Sequence, residues 1–322
     1  MSVADWDRIS TVTRTKILPK IEDVISTSRP FLQHLFKTAK KQDSGEKIHK
    51  VVRYQHGTQG RTYGDMEVMN SGQDSNRTRL EWEWKKYANP IVVSNLEIAK
   101  NGGTEKVFDL LKADMEDVML TTEEDLATMF FGDGTGNNNH DLNGLVALVD
   151  DGTNVDSWGG ATRTTHTWAA SYYNASGGTL ALATLATAWD ACKSGNDVPN
   201  MLLTTDALWT AYEQLLEPAT RFAFTTNGYP VADGGFKALY YRGAPIMTDD
   251  HCPSGYWYFL NTKYIELEYL AHPSAKSTGA KCLYMSDMLQ PPTQDGTIGY
   301  IHLYGNVINT HSARSGVIRG LS

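Results

Sequence analysis

Apolar side chains recur at three- and four-residue steps between residues 104 and 131: Val107, Leu110, Leu111, Met115, Val118, Met119, Thr122, Leu126, Met129 and Phe130 form one stripe. Asp114, Glu116, Asp117, Glu123, Glu124 and Asp125 lie mostly off it. That period is helical. Asn101-Gly-Gly-Thr104 with Glu105 behind it reads as the start, where a cap oxygen and a negative charge satisfy free amides. Gly132 reads as the left-handed residue that closes the last turn. At 1.5 Å per residue such a helix runs about 40 Å, longer than a small core needs. It predicts a beam to which other parts are pinned.

Upstream the period changes to two. Arg79, Glu81, Glu83 and Lys85 alternate with Leu80, Trp82 and Trp84, which predicts a strand with one charged and one apolar face. Residues 47–54 are a matching partner, and 56–78, rich in Gly, Ser, Asn and Asp, form the tip of a long hairpin over 46–92. An isolated hairpin is marginal in water, so its tryptophan face needs a surface, either this chain's own core or a second chain. Residues 1–45 read as an arm. Pro19 opens a short helical piece with Ile21, Val24 and Ile25, and Pro30 another with Phe31, Leu32, Leu35 and Phe36. Pieces this short must pack on something else.

Downstream of the long helix, residues 133–139 form a Gly- and Asn-rich loop. Residues 150–178 form an irregular connection with Trp158, Trp168, Tyr172 and Tyr173 as anchors. From Thr179 helix and strand alternate. A helix capped by Thr179 carries Leu182, Leu185, Ala186 and Trp189, and a buried strand follows over 198–204. A second helix, capped by Thr205 or Asp206, carries Leu208, Trp209, Tyr212, Leu215 and Leu216. Strand pairs are then expected over 236–241 with 244–248, 256–260 with 264–270, and 298–304 with 306–310 about Gly305. The class is α+β.

Composition narrows the function classes. Of 322 residues 41% are hydrophobic and 20% charged, as in a folded soluble protein. No apolar run approaches the roughly 18 residues of a membrane span, and the amino terminus lacks the pattern of a secretory signal. Cys192, Cys252 and Cys282 are too few and too scattered for a disulfide framework or a zinc knuckle, and read as buried thiols. A net charge of −8 disfavours a dedicated nucleic-acid binder. The charge is uneven: 11 basic and 6 acidic residues over positions 1–53 leave a local +5 against −13 elsewhere. That basic arm is either a solvated face or a clasp for an acidic surface such as the long helix of a neighbouring copy.

Common catalytic patterns are absent: no nucleophile elbow, paired-His zinc helix, Walker loop or dinucleotide fingerprint. Residues 133–139 lack the acidic spacing of a calcium loop and the Lys-Ser/Thr of a phosphate loop. No cofactor or metal site is expected. The densest polar cluster is Asp249, Asp250 and His251, which suits a solvated turn better than a hydrolytic site.

The order of arm, hairpin, long helix and α+β module resembles the major capsid proteins of tailed bacteriophages with the Hong Kong 97-like fold. Matching phrases are Phe131-Gly-Asp-Gly-Thr135, Leu142-Asn-Gly-Leu145, Pro199-Asn-Met-Leu-Leu-Thr204, Tyr241-Arg-Gly-Ala-Pro-Ile246, Tyr258-Phe-Leu-Asn-Thr-Lys-Tyr264 and Gly305-Asn-Val-Ile-Asn309 with Gly316. The resemblance implies an N-terminal arm over 1–45, an extended loop over 46–92, and a peripheral domain over 93–179 with its spine helix at 104–131. It further implies an axial domain over 180–300 and a C-terminal strand region over 301–322 returning to the peripheral domain. It also implies a non-enzymatic shell protein that forms hexamers and pentamers around phage DNA, assembled in the host cytoplasm and ending in the virion. The interface residues it suggests are Trp82, Trp84, Arg79, Glu81, Glu83, Arg61, Tyr63, Phe31 and Phe36. Some relatives carry a helical scaffolding segment at the amino terminus; nothing like it precedes Trp6, and Met1 points to a separate scaffolding protein. Portal and decoration proteins are further expected partners. The rival readings are an encapsulin, a cellular compartment of the same fold, a hydrolase using Asp249, Asp250 and His251, and a tail or head-decoration protein that forms rings, tubes or trimers.

Overall fold

The computed structural model describes residues 29–96, 104–216, 225–226, 229–230, 239–271, 282–292 and 294–322. The piece expected after Pro19 and the start signal at 101–103 lie outside the described residues. So does the first part of the strand expected over 236–241.

Helix α1 (Pro30–Thr38) begins where expected, with Pro30 in its first turn after an extended Arg29. Phe31, Leu32, Leu35 and Phe36 are all buried. Phe31 meets Phe130 edge-on, with ring centroids 6.4 Å apart, and Phe131 at the same distance. This piece of the arm is therefore built into its own chain's core. Strand β1 (Lys40–Gln42) follows. The ribbon is β2 (Ile48–Arg53) against β3 (Arg77–Trp82), antiparallel in the register Ile48↔Trp82 through Arg53↔Arg77.

The chain leaves the ribbon directly into β4 (Lys85–Ser94), a ten-residue strand. Tyr87, Asn89, Ile91 and Val93 point inward, and Lys86, Ala88, Pro90 and Val92 outward. Pro90 is tolerated because β4 is an edge strand, where a missing N–H costs no ladder bond. Residues 85–92 therefore belong not to the expected hairpin but, with 93 and 94, to a second sheet. The long helix α2 (Thr104–Phe130) follows the expected span to within one residue, and its buried end includes Leu126, Ala127 and Phe130. Gly132 is not left-handed; the positive φ falls on Gly134 (φ 77°). What the turn needs is room: a Cβ on Gly144 would come within 2.3 Å of the Met129 carbonyl. Asn137, Asn138 and Asn139 all take positive φ (51°, 58° and 64°), which asparagine tolerates better than other non-glycine residues.

Beyond the loops come β5 (Tyr172–Asn174), α3 (Leu182–Cys192), β6 (Met201–Thr204), α4 (Asp206–Leu216), β7 (Leu239–Tyr241), β8 (Ala244–Thr248) and β9 (Trp257–Leu260). The chain closes with β10 (Ile265–Leu270), β11 (Leu283–Met285), β12 (Gly296–Asn309) and β13 (Gly316–Ile318). α3 starts on extended Ala181 rather than on a Thr179 cap. Two sheets result. One runs β7-β8-β6-β9-β13-β5, with β8∥β6 and β13∥β5 parallel and the other pairs antiparallel. Its central strands β6, β9 and β13 are buried on both faces. Leu202, Trp257, Phe259 and Ile318 join α3 and α4 in one core. Their neighbours Met201, Leu203, Tyr258, Leu260 and Val317 join the core under α1, the ribbon and α2. Period-two alternation thus glues the helical layer on one side to the rest of the molecule on the other.

The other sheet is organised by β12. One edge pairs with β4 over ten positions, Gly296↔Ser94 through Gly305↔Lys85. The other pairs with β10 and β11, and β1 adds in parallel beyond β10. Two expectations fail here. Gly305 is no turn between two strands but an interior position of a 14-residue strand. A Cβ there would lie 2.6 Å from the Glu268 carbonyl, so the glycine serves close strand approach. β9 and β10 do not pair with each other; the turn at 261–264 sends them to different sheets. Sheet membership also cuts across sequence blocks. β10 and β11, from the block 180–300, sit with β4, while the last strand β13 lies in the six-stranded sheet.

Candidate assembly surface

The ribbon has two ends of different character. At its base Leu80 and Trp82 are buried. The Trp82 ring meets Trp158 at 5.7 Å, and a Cβ on Gly159 would press on both Leu80 and Trp82. Glu81 N–H donates to the Gly159 carbonyl (3.0 Å), and Trp158 Nε1 donates to the Asn309 carbonyl (3.0 Å). Tyr54 stacks on Trp168 at 5.5 Å. The aromatic anchors of the 150–178 connection therefore clamp the ribbon, and Trp82 finds its surface within its own chain. Trp84 lies past the end of β3, half-buried, with Nε1 donating to the Gly45 carbonyl (2.9 Å). Beneath this region Arg163, fully buried, donates to the carbonyls of Ala169, Val155 and Ala147, lies over Trp158 and faces buried Asp150 at 3.8 Å. Burial pulls its pKa down to about 10. The sequence carried no periodic signal for this pair, since both sit in an irregular loop.

At the tip the hydrogen bonds and ion pairs among the described residues stay within the loop. Asp74 accepts from Gln59 Nε2 (3.1 Å), Thr58 Oγ1 (2.9 Å) and Thr58 N–H (2.7 Å), which together hold its carboxyl below the usual carboxylate range. Arg61 pairs with Glu67 (3.1 Å), donates to the Val68 carbonyl (2.9 Å) and lies over the Tyr63 ring. These stitches display Met66 (98% exposed), Val68 (83%) and Met69 (72%) to solvent. Arg79 and Glu83 stand on the ribbon's open face, paired locally with Glu81 and Lys47. Of the sequence-suggested interface residues, Arg79, Glu83, Arg61 and Tyr63 are accessible, and Glu81 and Trp84 partly so. Phe31, Phe36 and Trp82 are not.

A second open surface is the outer face of the β4–β12 sheet, where His302 stacks with Tyr300 (5.7 Å), Tyr304 (5.5 Å) and Tyr284 (6.2 Å), beside exposed Pro90 and Val92.

The described basic residues Arg29, Lys40 and Lys50 engage their own chain. Lys40 reaches Glu266 (2.5 Å), and Lys50 meets Glu266 (3.8 Å) and buried Glu268. Arg29 faces the long helix at Glu123 and Glu124, and buried Asp249 beyond it at 3.1 Å. The cluster that suggested a hydrolase is thus an ion-pair junction. Asp249 is tied to Arg29 and to the His251 amide (3.0 Å), and His251 to Glu124 (2.8 Å). The adjacent Cys252 thiol is buried and pushed up to about 12, which withholds a thiolate. Asp133, in the loop after α2, spends its carboxylate on the amide and hydroxyl of Thr135. Among the described residues no three acidic, His or Cys side chains gather as metal ligands, and no helix is long and apolar enough to cross a membrane.

No protein-family model matches the chain, and no curated protein matches it by sequence. Solved structures do match by fold. The chain in the capsid asymmetric unit of cyanophage A-1(L) superposes with a TM-score of 0.65 at 14% identity, over 91% of this chain and 93% of that one. The fold is that of a capsid shell protein. The capsid of Myoviridae phage XM1 matches with a TM-score of 0.53 at 9% identity, over 90% and 91% of the two chains. The SrpI encapsulin complex from Synechococcus elongatus PCC 7942 matches at 0.54 and 11% identity, over 92% and 89%. At such identities the likeness is one of fold, extending over about nine-tenths of this chain.

Proposed function

We propose that this chain is the major capsid protein of a tailed bacteriophage, with the Hong Kong 97-like arrangement, and that its copies assemble as hexamers and pentamers into an icosahedral shell around DNA. The observation that carries the reading is a ribbon clamped at its base and exposing Met66, Val68 and Met69 at its tip, in a fold matched over nine-tenths of both chains by a phage capsid protein. In this reading the ribbon is the extended loop, α2 the spine, and the β4–β12 sheet with α2 the peripheral domain. The six-stranded sheet with α3 and α4 is the axial domain. The ribbon tip, with Arg61, Tyr63, Arg79, Glu81, Glu83 and Trp84 around it, lies on an adjacent copy. A separate scaffolding protein, a portal and a decoration protein are its expected partners, and the host cytoplasm its place of assembly. An acidic chain suits a wall along which packaged DNA slides.

Expression of the full chain, alone and with any scaffolding protein encoded near it, followed by negative-stain electron microscopy, tests this. Uniform closed shells are expected; monomers or dimers under all salt conditions overturn it. The encapsulin match keeps one second reading open. It predicts shells that form without scaffold and carry protein cargo rather than DNA.

A further inference from the structure

Arg29, at the entry to α1, is the point where three separate parts of the chain meet. Its Nη1 lies 3.1 Å from Asp249 Oδ1 and 2.7 Å from His251 Nδ1, both in the turn after β8. Its Nη2 lies 3.3 Å from Glu124 Oε2, and its Nε 3.5 Å from Glu123 Oε1, both on α2. A guanidinium can only donate, so His251 Nδ1 must accept. The ring is then neutral, its proton on Nε2 and donated to Glu124 Oε1 at 2.8 Å. A second arrangement of the same groups is close at hand. His251 Nδ1 lies 4.0 Å from Asp249 Oδ1, and Asp249 Oδ2 is buried without a hydrogen-bond partner among the described residues. The charged and titratable groups facing this ring are Arg29 from the arm, Glu124 from α2 and Asp249 from its own turn, with Glu123 behind Arg29 and Asp250 beside it.

From this geometry we infer that the junction is an acid-operated latch in which Asp249 exchanges one cationic partner for another. With His251 neutral, Asp249 holds Arg29 and so fastens the start of α1 to both α2 and the six-stranded sheet. When a proton arrives, it goes to Nδ1, the ring nitrogen that accepts from Arg29, and two donors then face each other. The imidazolium turns to Asp249 while keeping Glu124, and Arg29 is released. Asp249 and Glu124 keep a counter-charge throughout and only Glu123 gives one up, which lowers the usual cost of breaking a buried pair. Glu124 is largely exposed, so protons reach the junction from solvent. The bistable element is the attachment of Arg29 and α1 to the rest of the chain.

Hydrogen exchange of the full chain, purified in its assembled state and corrected for the intrinsic pH dependence of exchange, tests the latch. Between about pH 8 and pH 5.5, amides of 30–38 are expected to lose protection at least about fivefold, together with those of 249–252, while those of 48–53 keep theirs. His251→Gln, which carries no titratable ring, is expected to show equal protection at both pH values. Equal protection in the unaltered chain, or an unchanged pH response in H251Q, overturns the proposal. Should H251Q fail to fold, the unaltered chain still decides. Segments 30–38 and 249–252 must open with one midpoint, and separate midpoints overturn the exchange.

Discussion

The base of the ribbon is its two strands and the tip is the loop that joins them, yet opposite forces hold the two ends. At the base, Trp82, Leu80 and Ile48 are buried against Trp158 and the main core, so the ribbon's exit is as fixed as any core strand. At the tip, Asp74, Arg61 and Glu67 tie the loop to itself and leave Met66, Val68 and Met69 in water. The difference separates folding from association. Burial at the base stabilises one copy; exposed methionine at the tip, soft and adaptable in shape, gains only when another surface covers it.

That contrast can be broken at either end. The largest effect is expected from Trp82→Ala, which empties a site walled by Trp158 and Gly159. It should cost about 4 kcal/mol, read as a fall in the thermal midpoint of the unassembled chain, with assembly lost as a consequence. Gly305→Ala comes next. Its Cβ would sit 2.6 Å from the Glu268 carbonyl, forcing β10 and β12 apart at about 2 kcal/mol, measured by denaturant unfolding. Acid should weaken the fold through His34, whose pKa burial lowers despite the hydrogen bond to the Thr262 carbonyl. The unfolded chain then binds the extra proton. Stability is full above the ordinary value of 6.5 and falls as pH drops through it toward the lower folded value. His34→Gln should flatten that acid limb in thermal scans. The smallest change in stability, and the sharpest in assembly, belongs to the double substitution Met66→Ser with Met69→Ser. Unfolding should move by less than about 0.5 kcal/mol, while closed shells counted by electron microscopy become rare. If stability instead collapses with the tip, the two ends are not separate.

Much of this molecule was legible in its residues. The helix over 104–130 announced itself because a one-sided stripe sustained across many turns has no other regular solution. The alternation at 79–82 and the paired strand at 48–53 were legible for the same reason at period two. The cluster at 249–251 reads as a solvated turn because Asp249 and His251 adjoin in sequence, yet Asp249 is buried, and Arg29, Glu123 and Glu124, which surround the pair, come from far along the chain. Glycine misled in another way. Gly305 looks like a turn in one dimension and proves to be a place where two backbones nearly touch.

What the residues determined alone is local: which segments are helix or strand, which face of each is apolar, and that an arm and a ribbon need surfaces. These follow from periodicity and backbone sterics, which act over a few residues. Only the tertiary structure decided which surface each one took. Phe31 and Trp82 turned inward to their own core, Lys40 and Lys50 to their own β10, and the tip methionines to solvent. An apolar face specifies that it must be buried, but the hydrophobic effect has no direction and names no partner; shape and chain connectivity make that choice.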